Sequence, residues 1–204
     1  MQKFDPAVHH RRSIRLPDYD YSPPGAYFIT ICTNNNACLF GEIVSGEMRL
    51  NSAGEMVTKA WNEIPDFYPG VDVDAFVVMP NHIHGIIVLS GDTGGSEPSA
   101  TPGRARGPAP TGEGTPPQPL APAAATSRHS LPNIVERFKS LTTKLYIEGV
   151  KEANWLRFNQ RLWHRNYYEH VVRGYKDLEA VREYIRLNPA NWHRDEHNLG
   201  ARRI

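Results

Sequence analysis

The chain has 204 residues and a formal net charge of +1, enough length for one domain with a real core and a balance that by itself says nothing about partners. No apolar run is long enough to span a bilayer. The start, MQKFDPAVHHRRSIRL, has charge but no apolar core, so no secretory signal is expected there.

Two cysteines, Cys32 and Cys38, make no disulfide framework and no metal-type CxxC pair, so a reducing cytoplasm is expected. Charge is unevenly spread. Residues 21–90 carry two basic and seven acidic side chains, a balance of −5, and residues 128–204 carry fifteen and nine, a balance of +6. With Arg11, Arg12 and Arg15 near the start, one cationic face toward a polyanion is conceivable, although solvated helix faces give the same counts.

In chain order, AYFITICT follows Pro23-Pro24-Gly25 and reads as a buried strand after a turn. FGEIV and EMRL, split by Ser45-Gly46, read as a hairpin. Asn51 or Ser52 caps a helix whose apolar positions are Met56, Val57, Ala60, Trp61 and Ile64, and Pro65 is expected to end it. VDVDAFVVM is a strand, Pro80-Asn81 a turn, and HIHGIIVL a strand apolar on both faces, hence central in its sheet.

Residues 91–127 are rich in glycine, proline and alanine and poor in large apolar side chains, so they are expected to form a disordered insertion. Helical spacing resumes over 131–149. LWHRNYYEHVVR is strand-like, and DLEAVREYIRLN forms a last helix before Pro189. The order predicts an α+β sandwich, a mainly antiparallel sheet with packed helices. The expected organisation is a basic arm at 1–20 and one domain from 21–90 and 128–204, interrupted by the insertion.

The chemistry concentrates in two places. In a strand, residues two apart share a face, so His82 and His84 project side by side and two neutral imidazoles so placed can hold one divalent ion. An isolated HxH usually means two hydrogen-bonded rings, but this pair sits in an otherwise apolar strand where unpaired rings are costly. Gly85 is expected to leave open space beside them. On the last helix Tyr184 and Asn188 are one turn apart on one face. Tyr184 offers a nucleophilic oxygen and Asn188 a neutral third ligand, while spacing alone favours a core tyrosine and a residue closing the helix. Tyr167 and Tyr168 compete as nucleophile or as base-stacking rings, and adjacent residues of a strand face opposite sides. His170 is a weaker third-ligand candidate.

MPNHIHGIIVL followed by REYIRLNPANW resembles the HUH single-tyrosine transposases, most closely the REP-associated tyrosine transposases of bacteria. RRSIRLPDYDYSPPGAYFITICT and LWHRNYYEHVVR belong to the same resemblance, which covers nearly the whole chain except the insertion. It implies a ferredoxin-like fold with His82 and His84 as metal ligands, Asn188 as the polar third ligand and Mg²⁺ or Mn²⁺ as cofactor. It implies that Tyr184 attacks a single-stranded DNA phosphate, giving a 5′-phosphotyrosine link and a free 3′-OH at hairpin-forming repeats.

No membrane and no nucleotide cofactor are expected, and the protein acts as a monomer or homodimer. Tentative DNA contacts are Arg11, Arg12 and Arg15 in the arm and Arg137, Lys139 and Lys144 on the helix after the insertion. Two rival readings are a domesticated protein that binds repeat hairpins without cutting, and a metal hydrolase of small molecules, for which Glu169 is the one candidate base.

Overall fold

The computed structural model describes residues 23–90 and 129–198. The arm at 1–20, with Arg11, Arg12 and Arg15, and the insertion at 91–127 lie outside the described residues. Strand β1 (Gly25–Cys32) follows the proline turn as expected, and Tyr27 donates its hydroxyl proton to the Pro23 carbonyl at 2.8 Å. The hairpin is β2 (Gly41–Val44) and β3 (Glu47–Leu50), a separate two-stranded sheet. Ser45 and Gly46 both take positive φ, 53° and 81°, as a two-residue turn between right-twisted strands requires.

Helix α1 (Ser52–Asn62) is capped by Asn51, whose side chain accepts from the Gly54 amide. The expectation that Pro65 ends this helix is corrected: α1 stops three residues earlier, and Pro65 opens the short helix α2 (Ile64–Phe67). Proline lacks the amide proton that a first-turn residue does not need, so it starts a helix as readily as it stops one.

Strands β4 (Val71–Val78) and β5 (His82–Leu89) follow, then α3 (Leu131–Glu152), β6 (Tyr168–Val172) and α4 (Tyr175–Leu187). The main sheet has the order β4-β5-β1-β6 with every neighbour antiparallel. Setting the hairpin aside, the chain runs βαββαβ with the outer strands reversed in order, the ferredoxin-like arrangement expected. β5 is central, and seven of its eight residues are buried.

Alternation along the strands divides the side chains between two faces. Tyr27, Ile29 and Ile31 of β1 join Ile83 and Ile87 of β5 in the large core with α1 and α3, where Trp61 and Phe138 meet edge to face. On the other face Phe28 and Ile86 meet Ile185 of α4 in a much smaller cluster. Tyr167 and Tyr168 do face opposite sides: Tyr167 is buried in the large core and Tyr168 is exposed on the α4 side. Among the described residues no helix is long and apolar enough to cross a membrane.

Candidate active site

His82 and His84 project from β5 toward α4, both buried. Their Nε2 atoms lie 3.0 Å apart. The outer nitrogen of each ring has a partner: His82 Nδ1 is 2.8 Å from Asn81 Oδ1, and His84 Nδ1 is 2.8 Å from Thr30 Oγ1. The Asn81 amide nitrogen is committed as a donor to the Asn36 and His197 carbonyls, at 3.1 and 2.9 Å. Its oxygen can therefore only accept, so His82 carries its proton on Nδ1 and turns the Nε2 lone pair inward. If Thr30 accepts from His84 in the same way, two lone pairs face each other, an arrangement that a shared cation relieves.

Burial, then the neighbouring His84 and His197, holds the His82 pKa well below 6.5, and burial and His197 bring His84 down to about 3. Both rings are thus neutral and ready to ligate without first losing a proton.

Tyr184 stands over the pair, with its hydroxyl 3.5 Å from His84 Nε2 and its ring edge-on to Phe28 at 5.9 Å. Burial, and next the Asp195 carboxylate, raises its pKa, while the Asn188 amide beside the oxygen lowers it. Asn188 is 4% exposed, and its Oδ1 is buried with no hydrogen-bond partner. An orphaned carbonyl oxygen is costly, and its place one turn beyond Tyr184 fits a ligand.

Sequence reasoning missed Asp195. His82, His84 and Asp195 form a cluster whose ligand atoms all lie within 4.8 Å of one another, with Asp195 Oδ2 3.6 Å from His82 Nε2. Burial raises the Asp195 pKa. His197 was missed as well; its ring centroid is 4.8 Å from that of His82 and its nitrogens 3.7 Å from Cys32 Sγ, whose thiol burial pushes up to about 12. Both residues follow a short 3-10 turn, Trp192–Arg194, in a polar run without periodicity, and only the close spacing of Asp195 and His197 in RDEH offered a signal.

The cluster fits a divalent metal site. Two imidazoles suit Mn²⁺ better than Mg²⁺, and the carboxylate and the Asn188 oxygen suit either.

Other sequence candidates fall elsewhere. Gly85 does not open space beside the histidines: it faces the large core, where an added Cβ would meet the Trp61 ring at 2.4 Å. His170 pairs with Asp177 at 3.0 Å, at the start of α4. Glu169 points to the sheet face opposite the histidines, since it pairs in register with Ile29. Arg137 lies over the Phe67 ring at 5.6 Å. Lys139 donates to the His164 and Arg165 carbonyls, at 2.8 and 2.9 Å, and Lys144 is exposed, 4.0 Å from Glu148. Lys139 and Lys144 both line a groove beside α3, and Arg137 does not.

Helix α4 is itself held by one ion pair across the fold. A bulge in β4 between Val73 and Phe76 accompanies Asp74, which accepts from Arg182 Nε at 3.0 Å and also from Nη2. Arg182 keeps the Asp74 carboxyl below its usual range.

No family model matches the chain. An uncharacterized protein of Haemophilus influenzae is 40% identical over 197 residues, covering 95% of this chain and 96% of that one. The chain belongs to the same family as that protein. A solved REP-associated tyrosine transposase, bound to a REP hairpin, aligns over 87% of this chain and 73% of its own with a TM-score of 0.50 at 18% identity. The fold is therefore that of a REP-associated tyrosine transposase. Within this transposase-like fold the histidine pair lies on a central strand and Tyr184 on the last helix.

Proposed function

We propose that the protein is a metal-dependent endonuclease and strand transferase acting on single-stranded DNA at repeat hairpins. One observation carries this reading: the Tyr184 hydroxyl lies 3.5 Å from an imidazole nitrogen that is itself 3.0 Å from its twin. A phenol beside two converging, neutral ligands is an arrangement for phosphoryl transfer, and a core tyrosine has no use for it. The similar fold solved on a REP hairpin supports hairpin DNA as the substrate class.

His82 and His84, with Asn188 and Asp195 as the oxygen donors, would hold Mg²⁺ or Mn²⁺. When bound, the ion supplies positive charge that polarises a phosphate oxygen and favours the phenolate. Tyr184 then forms its bond to phosphorus, the bond to the 3′ oxygen breaks, the phenolic proton leaves to solvent, and the 3′ oxygen is released as a hydroxyl. Since the phosphotyrosine link conserves the bond, a second 3′-OH can reverse the step onto a new strand without a nucleotide cofactor. Asn188 keeps its amide beside the phenol oxygen, and the Asp74–Arg182 pair keeps α4 at its distance from β5. A place in the cytoplasm, where DNA is, follows from the reading.

The test is to incubate the full chain and Mn²⁺ with a library of genomic single-stranded hairpins and to map adducts by mass spectrometry. A 5′-phosphotyrosine at Tyr184 is expected. An adduct at Tyr168, or hairpins held tightly and never cut, would replace the assignment, the latter with a pure binding protein.

A further inference from the structure

Helix α4 packs most closely against β4, at one edge of the sheet, and stands off from β6 at the other edge of the same face. A cleft of about 550 Å³ remains there. Phe28 forms its floor, Val181 and Tyr184 one wall, and Tyr168 and His170 the other, with Asn166 also lining it. Tyr168 is 52% exposed and Tyr184 50%, so two phenol rings face the opening while Phe28 sits edge-on between them, 6.5 and 5.9 Å away. His84 belongs to the same lining, which makes the cleft continuous with the candidate active site.

Charge decides what such a cleft can take. Among the described residues that line it there is no lysine or arginine and one carboxylate, Glu196, so away from His84 and Tyr184 its walls are not built for a phosphate. The adjoining groove between α3 and the segment 158–167 is the reverse: Lys139, Lys144, Lys151, Arg161 and Arg165 line it against Glu136 and Glu148. The two spaces share His164 and Tyr167. A strand that leaves the cationic groove and rounds the β6 edge at 164–167 would enter an aromatic cleft beside the nucleophile. Flat, uncharged heterocycles stack on exposed aromatic rings, and a volume of this size suits one nucleoside and no stretch of duplex.

We propose that this cleft is a nucleobase subsite: the unstacked base next to the scissile phosphate lies in it against the Tyr168 ring, with Asn166 at its polar edge. The inference rests on the proposed DNA chemistry, because it supplies the strand. Holding that base fixes the sugar–phosphate beside it in front of Tyr184, which is positioning rather than chemistry. His170 pairs with Asp177 at 3.0 Å, which ties the β6 wall to the start of α4.

The test is binding by the full chain carrying Tyr184→Phe, which keeps the ring and prevents turnover. Two fluorescent octamers are compared, oligothymidine and an abasic strand with the same phosphates. Oligothymidine should bind about tenfold more tightly or better, the scale of base–aromatic stacking. Adding Tyr168→Ala should remove most of that preference and leave the abasic strand within about twofold, while Tyr168→Phe retains it. Ala180→Trp, on an exposed position of α4 lining the cleft, should also remove it without touching the sheet. Equal affinity for both octamers, or equal losses on both, overturns the subsite alone. If neither octamer binds at low salt, the DNA reading falls with it.

Discussion

The two faces of the four-stranded sheet are built on opposite terms. Toward α1 and α3 the strands β1, β4 and β5 present a continuous apolar surface, with Trp61 stacked on Phe76 at 4.5 Å over Gly85. Toward α4 the same strands present Thr30, His82 and His84, and the helix above contributes a single buried apolar side chain, Ile185. One face secures the fold through burial. The other holds buried polar groups under a lightly seated helix, as the proposed chemistry, which must bring reacting atoms together and still admit a substrate, requires. β5 serves both: its odd-numbered residues are core and its first even-numbered ones are the proposed ligands.

That contrast can be broken most sharply by Tyr184→Phe against Trp61→Ala. The first should abolish the covalent DNA adduct while leaving the fold within about 0.5 kcal/mol, as a half-exposed position allows. The second should cost about 3–5 kcal/mol of stability by emptying the core, and should reduce chemistry only as the chain unfolds. A stable Trp61→Ala protein that fails to form the adduct would mean the faces are not separable.

Metal binding should follow the second-layer contacts. Asn81→Ala or Thr30→Val frees a histidine ring to turn, and Mn²⁺ affinity by calorimetry should fall about 10- to 100-fold. Asn188→Ala should lower activity and recover partly at high Mn²⁺, whereas unchanged affinity in all three variants would remove the ligand assignment.

A smaller effect is expected from Asp74→Asn. Losing one charge of the pair that pins α4 should slow cleavage about tenfold or more, since small displacements of reacting groups are costly, with little change in melting temperature. The exchange Asp74→Arg with Arg182→Asp should restore part of the rate, and no rescue would deny the pair its positioning role.

The mildest test is acid. His84 is held at about 3, chiefly by burial, against an ordinary 6.5 in the unfolded chain. Below 6.5 the unfolded chain binds a proton there that the folded chain refuses. The stability tied to the neutral ring is complete above 6.5 and is lost as pH falls from 6.5 toward 3. Melting of the metal-free protein should drop over that window, and the drop should shrink in a His82→Ala/His84→Ala variant. Identical pH profiles would show that the rings are not buried as described.

Much of this was legible without the structure. Strand periodicity of two placed both histidines on one face, helical spacing of four placed Asn188 under Tyr184, and the continuous apolar run of HIHGIIVL placed β5 inside the sheet. These are short-range rules, dictated by backbone geometry within a few residues. Asp195 and His197 obey none of them, because they lie in an irregular turn and reach His82 only through the return of the chain beyond α4. The Asp74–Arg182 pair joins residues 108 apart, Gly85 serves Trp61 and not its neighbours in sequence, and the cleft beside Tyr184 exists only where α4 stands off from β6. Backbone periodicity determines which way each side chain points along its own element. Which element it then meets is decided by packing between segments remote in sequence, and the burial that lowers the histidine pKa values and leaves the Asn188 oxygen without a partner arises only there.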